Sequence, residues 1–254
     1  MCACADAASS TIIRHARRVV PLARQPRAIH LLTRMSSSLP AAPTEAPRLL
    51  HADEALLLLD KPAGLLAVAG KGETGHVHLA RWVQQRWPEA RVVHRLDMAT
   101  SGLMLFARSA AVQADLGTLF ASRSVHKDYL ALVHGHPAQH GGDITLPLGP
   151  DWPRRPRQQV DLLHGKPAHT RWQVLQRSHD ADGRPVSRLA LQPLTGRTHQ
   201  LRVHLLALGH AIVGDRLYAP DRDAAPRLML HAQALALVHP LSGQPCHFRC
   251  DAPF

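Results

Sequence analysis

The segment His94-Arg95-Leu96-Asp97-Met98-Ala99-Thr100-Ser101-Gly102 places one carboxylate, Asp97, in a short polar stretch between two apolar runs. Upstream, Ala90 to Val93 reads as the end of a buried strand. Downstream, Leu103 to Ala107 reads as a second one. A loop anchored at both ends by buried strands is a rigid mount for a side chain. Two readings of Asp97 remain open on pattern alone: a catalytic carboxylate, or a structural aspartate capping Thr100 or Ser101.

The flanking chain reads as strands grouped with a few helices. Glu54 to Asp60 is predicted as a buried strand and Lys61-Pro62-Ala63-Gly64 as a turn. A short helix is predicted over Val77 to Trp87. Ser109 is placed to cap a second helix, with Val112, Leu116, Leu119 and Phe120 on one face. Val125 to Val133 alternates as a strand and puts Lys127, Tyr129, Ala131 and Val133 on the same side. Arg188 to Gln192 reads as a further strand. His199 to Leu208 reads as a helix with Leu201, Leu205 and Leu208 inward and Gly209 just beyond its end. Without strict βαβ alternation, this order favours an α+β domain with a mostly antiparallel sheet.

A chain of 254 residues with 45% hydrophobic content supports one sizeable core, so a single catalytic domain is expected over 49–254. The longest apolar run, Ala55 to Leu59, is far shorter than the ~20 residues of a membrane-spanning helix. A net charge of +11 favours a polyanionic partner, with nucleic acid leading. Residues 1–48 read as leader and tether. The first 34 carry six arginines against Asp6, with Ile12, Ile13, Ala16, Val19 and Val20 on one helical face, like an organelle transit peptide. The competing and favoured reading starts translation at Met35, because arginine outnumbers lysine 26 to 4 and so suggests GC-rich coding. Without those 34 residues the charge is still +6. Ser36 to Pro47 reads as a flexible tether. Four cysteines do not make a disulfide framework, which fits a reducing cytoplasm. Cys246, His247 and Cys250 have no second pair at zinc-site spacing, so no metal is expected.

Four motifs in order, Lys61-Pro62-Ala63-Gly64, the His94 to Gly102 segment, Lys127-Asp128-Tyr129 and Thr195-Gly196-Arg197-Thr198-His199-Gln200-Leu201-Arg202-Val203-His204, together resemble the RluA family of pseudouridine synthases. The resemblance runs from Leu50 to the C-terminus. It implies a mixed sheet bent into two halves around a central catalytic cleft, isomerisation of uridine in RNA, and no cofactor. The small RNA-binding domain that precedes the catalytic one in some relatives is not expected here.

That reaction needs Asp97 ionised in a closed pocket, and burial alone would neutralise it, so a cation must stand nearby. The resemblance implies Arg197 for this role, with RNA phosphate as its other possible partner. It also puts Tyr129 on a flipped uracil, where the ring can stack the base and the phenol can relay the C5 proton. His94 and Arg95 are candidates for RNA contact, Arg95 by filling the gap left by the flipped nucleotide and His94 by bracing the loop. Arg202 begins a helix whose free N–H groups suit phosphate.

Further segments, Asp151 to Gln158, Gly165 to Ala168 and Leu208 to Ala219, resemble the branch of the family whose members modify both 23S ribosomal RNA and transfer-RNA anticodon stem-loops. Arg154, Arg155, Arg157 and Lys166 form a proline-stiffened basic stretch suited to a folded stem-loop. Alternatives are a synthase for ribosomal RNA alone or transfer RNA alone, a non-catalytic RNA-binding assembly factor, and a glycosylase that releases the base. A cytoplasmic monomer is expected.

Overall fold

A computed structural model describes residues 45–70, 76–219 and 225–254. The leader and tether expected before residue 45 lie outside the described residues. In chain order the elements are β1 (Arg48–Ala52), β2 (Leu56–Lys61), α1 (Leu79–Gln84), β3 (Arg91–Val92), β4 (Ser101–Ala107), α2 (Ala110–Ala121), β5 (His126–His134), β6 (Gly141–Ile144), β7 (Leu148–Pro150), β8 (Gln158–Val160), β9 (Thr170–His179), β10 (Pro185–Pro193), α3 (Gln200–Ala207), β11 (Leu230–Val238) and β12 (Pro245–Arg249). No helix among the described residues is long and apolar enough to cross a membrane.

Ten strands form one sheet in the order β1-β2-β4-β11-β5-β10-β9-β6, with β3 against β4 and β12 against β11. This is the mixed, mostly antiparallel α+β architecture expected. The pairing of β4 with β11 is parallel and short, joining Ser101 to His231 and Gly102 to Ala232. It forms a seam between the two halves of the sheet.

Every residue of β4 is buried, which accounts for its unbroken apolar run. On one face of the first half, Leu56, Leu58, Leu103 and Leu105 pack with Val112 and Leu116 of α2. On the other, Leu57, Leu59, Met104 and Phe106 pack with Leu79 and Val83 of α1. In the second half Ala131, Val133, Trp172, Leu189 and Leu191 receive Leu201 and Leu205 of α3. Two copies of the same rule, alternate strand residues to alternate faces, thus build both halves.

The helix signals hold with adjusted ends. Ser109 Oγ accepts the Val112 N–H at 3.2 Å and starts α2 as expected. The first helix is shorter than predicted, beginning after His78, whose ring accepts the Arg81 N–H. The strand expected over Ala90 to Val93 shrinks to Arg91–Val92, because it is an edge strand against the end of β4 and only Ala90 is buried. Gly209 follows α3 with φ +88°, a left-handed value that glycine takes without strain.

Candidate active site

The Asp97 loop enters the sheet at the seam, and the backbone there requires glycine. At Gly102, φ is +108°, and a Cβ would lie 2.3 Å from the Ala232 carbonyl oxygen on β11. Beside it, Ser101 Oγ and His231 Nδ1 share a hydrogen bond of 2.7 Å, and Arg227 Nη2 donates to the same hydroxyl. The loop is also held from β2. Lys61, fully buried, donates from Nζ to the carbonyls of Pro62 at 2.9 Å, Leu65 at 2.8 Å and Met98 at 3.1 Å. The Gly64 N–H donates to the Met98 carbonyl as well, at 2.8 Å. Burial pushes the Lys61 ammonium down to about 7 against the opposing pull of Asp97. The Lys61 to Gly64 turn therefore fixes the residue next to Asp97.

His94, a lining residue of the cleft, is also part of this mount. Its Nε2 accepts the Leu105 N–H at 2.9 Å and its ring stacks on Phe120 at 4.7 Å. Burial, with the Lys127 charge adding, pushes the imidazole down to about 4, so it stays neutral and keeps accepting. Arg95, by contrast, is exposed at the mouth of the cleft.

A cleft of about 490 Å³ opens over Asp97, with Arg95, Tyr129, Arg197, His199 and Arg202 among its walls. That volume suits a single nucleotide-sized group. Tyr129 comes from β5, where a bulge at Gln233 of β11 shifts the register between Tyr129 and Asp128. Burial, and then the Asp97 charge, hold its phenol far above its ordinary value, so Tyr129 remains a neutral donor.

The cation facing Asp97 is Arg202, not Arg197. Arg202 Nη1 lies 3.9 Å from Asp97 Oδ2, while its Nε and Nη2 donate to Asp215 Oδ2 and Oδ1 at 2.8 and 2.6 Å. Burial works against its charge, but the hydrogen bonds and charge of Asp215, followed by the charge of Asp97, outweigh it and raise its proton affinity. With 6% exposure, Arg202 is not the phosphate contact expected from its place in the motif. Arg197 precedes α3 on the turn, and its Nε donates instead to the Pro167 carbonyl at 3.0 Å. Its guanidinium stands on the cleft wall rather than in an ion pair with Asp97. The reason lies in α3, where six of the eight residues are buried, so a polar residue on its third position points into the protein.

His199, which the sequence reading left without a role, is the second group facing Asp97, with Nε2 3.9 Å from Oδ2. Tyr218, which no motif singles out, has its hydroxyl 2.7 Å from His199 Nδ1. One signal was available for it: the chain has two tyrosines, and both stand at this site.

The basic stretch lies on the β7–β8 hairpin beside the cleft. Arg155 is exposed and stacked on exposed Trp152 at 3.7 Å, and Arg154 pairs with Asp151. Lys166 is exposed where it bridges back to Leu148. Arg157 is half-buried, with its guanidinium 5.3 Å from the Tyr218 ring centre, and so backs the hairpin.

Away from the cleft, Asp60, His231 and Cys250 bring possible metal ligands within 4.8 Å of one another. Their hydrogen bonds already account for the cluster. Arg48 donates to Asp60 and reaches Cys250 Sγ, while the His231 ring is held by Ser101 and the Cys250 carbonyl. A guanidinium at that point disfavours a second cation.

Comparison with known proteins bears on this geometry directly. Residues 55–207 match the family model described as RNA pseudouridylate synthase. The dual-specificity RNA pseudouridine synthase RluA of Yersinia pestis is 46% identical over 207 residues, covering 81% of this chain and 98% of the relative. That of Escherichia coli K12 is 44% identical over 208 residues, covering 81% and 93%. The solved structure of human RNA pseudouridylate synthase domain containing 1 superposes with a TM-score of 0.71 at 32% identity, covering 83% of this chain and 85% of that one. With a carboxylate, a buried arginine and a neutral tyrosine gathered in one cleft on this fold, the chain belongs to the RNA pseudouridylate synthase family.

Proposed function

We propose that this protein is a dual-specificity RNA pseudouridine synthase, acting on a uridine of 23S ribosomal RNA and one of a transfer-RNA anticodon stem-loop. The observation that carries the reading is Asp97 Oδ2, set in the cleft between Arg202 Nη1 and His199 Nε2, both at 3.9 Å, opposite a neutral Tyr129. A carboxylate facing an arginine in a cleft can act on a nucleotide turned out of its stack.

The chemistry balances with these groups alone. The N1–C1′ bond breaks, the uracil turns in place, C5 bonds to C1′, and the proton leaves C5 while N1 gains one. Asp97 supplies the negative charge that opens the sequence, by addition at C6, by attack at C1′ or by taking a sugar proton. Tyr129, as a neutral phenol, stacks the base and relays the C5 proton. Arg202 Nη1 faces Asp97 Oδ2 and orients the carboxylate in the cleft. Arg95 at the mouth, Arg154 and Arg155 on the hairpin and Lys166 beside it hold the RNA backbone, and Trp152 offers a face to an unpaired base. Two similar relatives carry dual specificity in their names, which supports two substrates. Free Cys246 and Cys250 fit work in a reducing cytoplasm, and we propose a monomer.

The test is pseudouridine mapping by carbodiimide and primer extension on pseudouridine-free transcripts, with wild-type protein and Asp97→Asn. Marks in a ribosomal loop and in an anticodon stem-loop, both lost in the variant, are expected. Marks in one RNA only narrow the substrate and overturn dual specificity. No marks despite tight, salt-sensitive binding favour an assembly factor, and free uracil with an abasic site favours a glycosylase.

A further inference from the structure

The Tyr218 hydroxyl accepts the main-chain N–H of Gln158 at 2.8 Å and stands 2.7 Å from His199 Nδ1. A phenol has one proton to give, and His199 Nδ1 is the acceptor that the described residues bring within reach of it. With the phenol donating to Nδ1, Nδ1 is bare and the ring hydrogen sits on Nε2. The two rings meet edge to face, with centres 5.6 Å apart at 87°.

The other end of the imidazole is turned toward the carboxylate. Nε2 faces Asp97 Oδ2 at 3.9 Å. His199 holds φ +54°, a left-handed backbone that a non-glycine residue rarely adopts and that tends to mark functional sites. That strained position sits at the cap of α3 with no side-chain bond to the helix's own N–H groups, so the ring serves something other than capping. The groups facing it are Asp97 and Arg95 from the loop, Arg202 from α3, and Asp215 and Tyr218 from the segment after α3. Burial, the largest influence, lowers its proton affinity, and the carboxylates and guanidiniums around it pull in opposite directions.

We propose that His199 is a positioning residue for the isomerisation: a neutral imidazole, locked in one tautomer by Tyr218, that presents Nε2–H to Asp97 Oδ2 and closes to hydrogen-bond length when nucleotide fills the cleft. The lock has a second consequence. Gln158, which fixes the Tyr218 hydroxyl, is the first residue of β8, on the hairpin that carries the exposed Arg155 and Trp152. Seating RNA on that hairpin steadies Gln158, hence Tyr218, hence the tautomer that Asp97 meets. Substrate grip and carboxylate orientation are thereby linked through one phenol. This inference rests on Asp97 being the reacting carboxylate.

The test uses the full chain labelled with ¹⁵N-histidine, read by two-bond proton–nitrogen correlation and assigned by loss of the His199 signals in His199→Asn. The expected wild-type pattern is a bare Nδ1 with the hydrogen on Nε2, and Tyr218→Phe is expected to shift it to a tautomer mixture. Tyr218→Phe and His199→Asn should each slow single-turnover pseudouridine formation about ten- to a hundredfold, the worth of one hydrogen bond to a charged group, with RNA affinity unchanged. The double variant should be no slower than the worse single. His199→Gln, whose amide nitrogen reaches the Nε2 position, should recover part of the rate. A wild-type ring protonated on Nδ1 overturns the inference even if a variant fails to fold. So do losses confined to RNA affinity, or additive losses in the double variant. Wild-type protein that makes no pseudouridine, or Asp97→Asn that still makes it, overturns the reading of the site instead.

Discussion

Replacing Arg202 by Met tests which arginine serves Asp97. At 3.9 Å, with an effective dielectric of about 20, a unit pair is worth about 4 kcal/mol. If most of that attraction serves the ionised carboxylate, its loss costs about a thousandfold in rate. The same substitution strips Asp215, a buried carboxylate, of both its guanidinium hydrogen bonds. An uncompensated buried charge of this kind costs about 3–5 kcal/mol of stability. Arg197→Met removes one bond to the Pro167 carbonyl at the protein surface and should cost about 1 kcal/mol or less. Urea unfolding gives the stabilities, and tritium release from RNA carrying [5-³H]uridine gives single-turnover rates at a temperature where each variant is folded. Asp215→Asn separates the two effects, since it loses much of the stability while leaving the Arg202 charge beside Asp97. Arg202→Met within about threefold of wild-type rate, or Arg197→Met slower than Arg202→Met, refutes the assignment.

Acid should weaken the fold through His94. Its folded imidazole titrates at about 4 against 6.5 for the free group, so its contribution is whole above 6.5 and is lost as pH falls from 6.5 to 4. The loss is about 3 kcal/mol, and His94→Gln, which keeps an acceptor for the Leu105 N–H, should abolish it. A wild-type minus variant difference in unfolding free energy that is flat across that range contradicts this. Gly102→Ala combines a disallowed φ with a Cβ pressed on the Ala232 carbonyl, for a loss of about 2–6 kcal/mol in urea unfolding. A loss under about 1 kcal/mol would mean the seam is looser than described. Arg155→Ala and Lys166→Ala should each lower the slope of log affinity against log salt by about 0.7–0.9. An unchanged slope takes the hairpin off the RNA backbone.

What the sequence could disclose followed from how regular the local signal is. The Leu103 to Ala107 run is buried on both faces and reads as a strand in any context, and the Ser109 cap with its apolar spacing reads as α2. Strands β9 and β6 were not legible. The first carries two arginines and a histidine and shifts register at Leu175, and the second begins Gly141-Gly142, so neither shows a clean apolar alternation. At the site, Asp97 and Tyr129 lie where motif and strand period put them. The resemblance points to Arg197 as the partner of Asp97, and a single inward stripe of Leu201, Leu205 and Leu208 leaves Arg202 off the expected buried face of α3. Its sequence, Gln200-Leu201-Arg202-Val203-His204-Leu205-Leu206-Ala207, has apolar residues all around, the mark of a helix enclosed on most sides. On such a helix Arg202 has nowhere to go but inward, and a buried arginine must find carboxylates.

The parallel seam explains why these particular segments meet. Because β4 and β11 run the same way, the loop entering β4 and the start of β11 lie at one edge of the sheet, and β5, antiparallel to β11, brings Tyr129 opposite Ala232 at that same edge. Strand β10 pairs Leu191 with Tyr129 and runs on into the Thr195 to Arg202 segment, which delivers the two groups facing Asp97. The seam itself has little backbone pairing, so its strength comes from side chains that never touch the cleft contents: Ser101 with His231 and Arg227, and Gly102 against Ala232. Lys61 adds the hold on Met98 from the other side of the loop. Substitutions at the seam should therefore lower the rate of the chemical step with little change in RNA affinity, because they loosen the mount of Asp97 while leaving the basic hairpin intact. Substitutions on the hairpin should do the reverse.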